Sequence, residues 1–381
     1  MNLLPFGYLL RNLLRRPLRS AITIAGIAAV TMLVVAMHSF AAGMNLAATS
    51  STAADRVVLL GVSAEVDLVR SVIARGSAEI AAAAAPGVLS RDGQRAASVE
   101  LHIATRNGDQ IGLLRGITPA AWLVHDQVTV TAGREPRGPF EVMVGALAGA
   151  RMGLPPSALA VGARLPLERR EFTVVGHFQA PDTVYEAELW ARLPDVMLAT
   201  KREDVSCVVL RLEAPERLDE VRLFAGRRLD LEISAMPEAE LLQALASSLQ
   251  PIAALARWLA ALAVAAGAFA CANTMFAAVL ARSRELATLR ALGYAPAAIA
   301  IGLVTEALLT AFVGGGIGLL IAQTIGGVSL RYPMGALLLQ ADAQSRAIGL
   351  GAALVSGLLG GIVPALRSIR LPLVEALSGR T

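Results

Sequence analysis

Lys201 is the single lysine in 381 residues, and it stands outside any glycine-rich loop. A phosphate-binding loop needs a lysine directly after its glycines to reach the β- and γ-phosphates, so this chain binds no nucleotide through such a motif. The histidines His38, His102, His125 and His177 are scattered, with no His-x-x-x-His pair to seat zinc. Ser63 lies in Gly-Val-Ser-Ala-Glu, which lacks the closing glycine of a nucleophile elbow. Each histidine is therefore expected to be structural or on the surface. Cys207 and Cys271 fall in different predicted compartments and read as small apolar residues, not a disulfide. No catalytic, cofactor or metal residue is evident. The patterned chemistry is elsewhere. Arg282 to Tyr294 reads RSRELATLRALGY, a short charged helix ending at Gly293. Glu306 is the only acid inside an otherwise apolar run.

The elements that position these residues are apolar spans. No charge occurs between Arg19 and Asp55, Arg257 and Arg282, Glu306 and Arg331, or Arg346 and Arg367. Each stretch is long enough for a helix to cross a hydrocarbon core of about 30 Å. Mean hydropathy is +0.59, with 55% hydrophobic residues. The fold class expected is an α-helical membrane protein with four transmembrane helices, carrying a large α+β extracytoplasmic domain between helices 1 and 2. The boundaries read as follows: a cytoplasmic amphipathic segment, 1–19, precedes helix 1, 20–43. The outer domain, 44–250, leads to helix 2, 251–281. A cytoplasmic helix, 282–296, joins it to helix 3, 297–322. An outer loop, 323–346, then helix 4, 347–366, and a cytoplasmic tail, 367–381, complete the chain. The first span is longer than the apolar core of a secretory signal and reads as a retained anchor.

The arginines set the orientation. The first 19 residues, the 282–296 segment and the tail together hold ten basic residues against Glu285 and Glu375. The remaining soluble sequence is slightly acidic. These three short segments are thus expected in the cytoplasm, with both termini inside. The sequence pI near 9.6 reflects membrane topology and gives no reason to expect nucleic acid.

In the outer domain, Asp55–Gly61, Ser98–Thr105, Glu171–Phe178 and Ser206–Leu212 read as strands, with a hairpin through Arg169-Arg170. Ser77–Ala85 and Leu218–Arg228 read as helices. The Leu/Ala-rich flanks suggest that helix 1 continues beyond the membrane and that Pro237–Arg257 runs helically into helix 2, a stiff stalk rather than two linkers. Gly314 and Gly318 in helix 3, and Gly357 and Gly361 in helix 4, have the small-xxx-small spacing of closely packed helices, within one subunit or between two copies. Glu306 is placed to pair with an arginine of the inner loop or to reach the interface.

Several segments in this order resemble the MacB/FtsX-like (type VII) ABC transporter permeases: LLRNLLRRPLRSAITIAGIA, the run TAGREPRGPFEVMVGALAGARMGL, RSRELATLRALGYAPAAIAIGLVTEALLTAFVGGGIGLLIA and PALRSIRLPLVEALSG. The resemblance implies a MacB-like core domain outside the bacterial inner membrane and no enzymatic activity in the chain itself. It implies an ATPase-coupling helix containing Arg282, Arg284, Glu285, Leu286, Leu289, Arg290 and Gly293. The expected partners are a cytoplasmic ABC ATPase dimer carrying ATP and Mg, a second permease copy, the lipid membrane and, in some relatives, a membrane-fusion or adaptor protein. The function implied is export or extraction of a lipid, lipoprotein, peptide or drug-like substrate. An FtsX-like regulator of a cell-wall hydrolase is the alternative; a membrane-anchored outer enzyme is a second.

Overall fold

The computed structural model describes residues 7–8, 11, 15, 17–50, 53–64, 67–181, 183–247, 250–325, 329–332, 335–338 and 341–369. Two compact units emerge. One gathers residues 1–42, 251–328 and 339–381; the other gathers 43–250 with 329–338.

The first unit holds four helices long and apolar enough to cross a membrane: α1 (Pro17–Ser50), α8 (Gln250–Ala281), α10 (Pro296–Ile325) and α11 (Ala343–Ile369). Their shared surface is built by small residues. A Cβ on Gly314 would lie 2.8 Å from the Ile24 carbonyl oxygen, and one on Gly318 would lie 2.5 Å from that of Ala28. Both glycines therefore let α10 rest on the backbone of α1. Gly357 and Gly361 of α11 meet Ala311 and Ala307 of α10, at 2.4 and 2.8 Å from a built Cβ. A Cβ at each of the four glycine positions would meet a helix of the same chain. Gly267 of α8 meets Val30 and Ser356, whose hydroxyl donates to the Val264 carbonyl at 3.2 Å. The α8 span is the least buried of the four.

The second unit is a ten-stranded mixed sheet with helices on both faces. Its strands are β1 (Arg56–Gly61), β2 (Ala97–Asn107), β3 (Gln110–Ile117), β4 (Thr129–Gly133), β5 (Glu141–Gly145), β6 (Arg164–Leu167), β7 (Arg170–Gln179), β8 (Glu188–Arg192), β9 (Cys207–Arg211) and β10 (Ile233–Pro237). The order is β10-β1-β9-β2-β3-β8-β5-β7-β4, with β6 hairpinned onto β7. The β3–β8 and β5–β7 pairs are parallel and the rest antiparallel. One face is apolar: Val57, Leu59, Val99, Leu101, Leu114, Phe172 and Val208 pack under α2 (Arg75–Ala84), α5 (Leu193–Thr200) and α6 (Leu218–Arg227). The opposite face carries Val58, Leu60 and Val209 beneath α3 (Ala121–Val124) and α7 (Glu238–Ser247). Strand β1 is buried on both faces, which is why Arg56–Gly61 reads as a continuous apolar run instead of alternating.

The strand and helix expectations of the outer domain agree with the structure to within a few residues. Helices α3, α4 (Ala148–Met152) and α5 and strands β3, β4, β5, β8 and β10 went unread. The 323–346 segment also differs from the loop expected. It holds a hairpin, Ser329–Tyr332 against Gly335–Leu338, that clusters with the outer domain beside α4. Helix α1 runs unbroken for 34 residues, about 50 Å at 1.5 Å per residue, longer than a hydrocarbon core of about 30 Å requires. On the other flank α7 and α8 are helical on either side of residues 248–249, which lie outside the described residues. So do most of the 1–16 segment and residues 370–381 of the tail.

Candidate functional site

Helix α8 ends at Ala281, and Arg282 leaves helical geometry (φ −114°, ψ 14°) to turn the chain into α9 (Ser283–Ala291). Gly293 closes this helix in the left-handed region, φ +94°, where a side chain would be strained. The Tyr294 amide donates back to the Leu289 carbonyl, and α10 begins at Pro296. The result is a short helix folded across the ends of two spans.

The sides of α9 differ sharply. Leu286 and Ala287 are buried, and Leu286 joins Met275, Val279, Ile299 and Leu303 in one cluster, with Leu289 packed against it. Arg284, Glu285 and Thr288 are exposed, and so is Leu292, which leaves 72% of its surface uncovered. Leu286 and Leu289, expected among the coupling residues, thus hold α9 to its own spans instead of facing outward. Leu292, which sequence reasoning passed over, is the apolar residue that faces solvent. It follows α9 directly, and its place beyond the last inward-facing leucine was a readable signal.

Arg282 also points inward. Its Nη1 and Nη2 donate to Glu306 Oε2 and Oε1 at 2.9 and 3.1 Å, a two-pronged pair with both side chains largely buried. Glu306 is thus tied to the residue at the turn into α9. Such planar pairs resist sliding, and removing one partner strands the other as a buried charge. Arg15 lies 3.9 Å from Glu285, but both are exposed and such pairs contribute little.

A second constellation was not foreseen. On the α3/α7 face of the outer sheet, Glu100 of β2 stands opposite Cys207 of β9, His102 opposite Arg115 of β3, and Arg115 opposite Trp190 of β8. Arg115 donates to Glu100 Oε2 at 2.6 Å and grips Glu188 with Nε and Nη2 at 2.7 and 2.8 Å. Trp190 Nε1 donates to Glu188 at 2.8 Å. His125 and His102 lie 2.9 and 3.3 Å from the two Glu100 oxygens. Burial would raise the Glu100 carboxyl, but His125, Arg115 and the histidine hydrogen bonds outweigh it and hold it well below the usual range. Burial, with Arg115 nearby, pushes His102 down.

The chain of contacts continues outward. Tyr185 donates to Glu238, the first residue of α7, and Glu238 pairs with Arg56 at 3.2 Å. Arg56, the first residue of β1, also reaches Asp126 at 3.1 Å and Gln127. The two flanks of the outer domain are therefore fastened to each other by a buried ion pair. Glu100, His102 and Cys207 bring three donor atoms within 4.8 Å, the spacing of a metal site. Both carboxylate oxygens of this set already accept bonds, one of them from the Arg115 guanidinium. The network is a structural brace.

A charged helix held across two spans, and a folded domain inserted after the first span, define a polytopic membrane protein of the permease type. A model of the MacB-like periplasmic core domain matches residues 20–222, and one of the FtsX-like permease C-terminal region matches 258–373. The chain belongs to the MacB/FtsX-like family of ABC transporter permeases. It is similar to the macrolide export ATP-binding/permease protein MacB of Nitrobacter winogradskyi, 36% identical over 107 residues, 28% of this chain and 16% of that one. The chain thus spans well under two thirds of that relative's length. Among solved structures it is similar to the extracellular domain of the transporter YknZ from Gram-positive bacteria, at 12% identity and TM-score 0.36, covering 48% of this chain and 99% of that one. It is also similar to a domain of a Porphyromonas gingivalis chain described as a permease, at 17% identity and TM-score 0.32, covering 48% and 90%.

Proposed function

We propose that this chain is the membrane subunit of an ABC transporter whose ATPase is a separate polypeptide. Helix α9 lies in the cytoplasm and docks on that ATPase, which supplies the ATP and Mg sites. Two permease copies, identical or related, pair around two ATPase subunits in the bacterial inner membrane. ATP-driven closure of the motor moves α9, and the spans carry the motion to the outer domain, where it does work on a lipid, lipoprotein, peptide or drug-like substrate, with or without an adaptor. The single observation behind this reading is the two-sided α9. Its inner side is anchored by Leu286 and by the Arg282–Glu306 pair, so force on its exposed side reaches the spans instead of bending a loop.

The test is affinity capture of the whole permease with the host's ATPase subunits. Arg284→Glu, Glu285→Lys and Leu292→Asp are expected to weaken capture at least tenfold while leaving the membrane level of the permease unchanged. Capture of every ATPase subunit at wild-type level by all three variants overturns the assignment.

A further inference from the structure

Beside the Arg282–Glu306 pair lies a small cavity of about 30 Å³, lined also by Arg19, Ser20, Thr23, Thr274 and Thr310 among apolar side chains. Most of its polar groups are engaged, Ser20 among them. Both Glu306 oxygens accept from Arg282. The hydroxyls of Thr23, Thr274 and Thr310 donate to carbonyls of their own helices, those of Arg19, Ala270 and Glu306. Arg19 Nη1 is buried and has no acceptor among the described residues. With Arg282 and Glu306 cancelling, the Arg19 guanidinium remains as one positive charge among the described residues. A buried donor on a charged group needs an acceptor, and in an apolar setting it needs a counter-charge as well. The cavity can hold a water, which supplies the first and not the second.

Arg19 and Thr274 also line a second, open groove of about 420 Å³ with Pro17, Leu18 and Ile22. Leu18 and Ile22 are 75% and 62% exposed, so the groove is an apolar face with one guanidinium at its end. An apolar channel leading to an unneutralised arginine complements a molecule with a hydrocarbon body and an anionic head. The bilayer that this chain spans supplies such molecules, and Arg11, Arg15 and Arg16 just before the groove raise their local concentration.

We propose that this groove is a binding site for an anionic phospholipid, its phosphate on Arg19 and one acyl chain along Leu18 and Ile22. The occupant sits against the cavity that holds the Arg282–Glu306 pair. The lipid thereby neutralises the third charge beside the anchor of α9 and stiffens the joint through which that helix is held. The site stands on the membrane unit alone and does not depend on the ATPase assignment.

Native mass spectrometry of the delipidated full chain, titrated with phosphatidylglycerol, phosphatidylcholine or inorganic phosphate, tests the site. Retention of phosphatidylglycerol is expected to exceed that of phosphatidylcholine at least fivefold. Arg19→Gln should abolish the preference and Arg19→Lys should keep it. Thr274→Trp, which fills the groove and leaves the arginine, should lose the lipid. Arg257→Gln, an exposed arginine at the other end of α8, should change nothing. Equal retention of the two lipids, wild-type retention by Arg19→Gln, equal loss in Arg257→Gln, or displacement of the lipid by phosphate alone would each overturn the proposal.

Discussion

Glu306 and Arg282 are the residues on which the membrane unit turns. The sequence made the acid conspicuous, because it is the one carboxylate in a long apolar run, and pointed to an inner-loop arginine as its partner. Which arginine, and in what geometry, depended on the turn at 282 and could not be read from composition. Removing either partner leaves a buried charge, so Glu306→Gln and Arg282→Gln should each destabilise the chain by about 3–5 kcal/mol. Replacing both at once should cost clearly less than the sum. Thermal unfolding of the detergent-solubilised protein would measure this, and strictly additive losses would show that the pair is not coupled.

The outer-domain network has a pH signature at the same scale. Burial opposes the charge on Glu100, yet His125 and Arg115 hold its carboxyl well below its ordinary value. Burial likewise depresses His102. Both groups bind protons more readily in the unfolded chain, so both contribute stability that is lost as pH falls. The loss through His102 should begin below about pH 6.5, and that through Glu100 below about pH 4.5, their ordinary values. Thermal unfolding followed by tryptophan fluorescence, to which buried Trp190 contributes, should show the midpoint falling across this range. Glu100→Gln should flatten the lower part, and an unchanged profile in that variant would contradict the role given to the network. This network escaped sequence reading for a definite reason. Ser98–Thr105 sets small, acidic and imidazole side chains between Val and Leu, the pattern of a strand with one wet face. Here α3 and the start of α7 cover that face, so the polar residues had to find one another.

At the scale of elements, the glycines of α10 and α11 separate two kinds of position. Spacing marked Gly314, Gly318, Gly357 and Gly361 as packing residues but could not say against what. The neighbours are α1 and α10 of the same chain. Gly318→Leu should therefore disrupt the bundle, because a Cβ there meets the Ala28 carbonyl at 2.5 Å and backbone cannot step aside. Gly316→Leu, where nothing lies within 4 Å, should be tolerated. Expression level and resistance of the purified chain to heat would separate the two, and equal behaviour would refute the packing. Helix boundaries were legible because charge-free runs are long. The Ser329–Leu338 hairpin was not, since four-residue strands around a short turn carry too little pattern to stand out.

The whole molecule combines a brace in the outer domain, which fastens Arg56 to Glu238, with an anchor in the membrane unit, which fastens Arg282 to Glu306. Both pairs lie beside the ends of long helices, and under the proposed function these are the points where transmitted force would need stiffness. The most direct measurement is site-specific photocrosslinking from α9 and its neighbour Leu292 in cells. Crosslinks to an ABC ATPase subunit are expected from positions 284, 285, 288 and 292, which face outward, and not from 286 or 287, which are buried. A silent outward face, or a crosslinker at 286 that captures the ATPase as well as one at 285, would contradict docking on this helix.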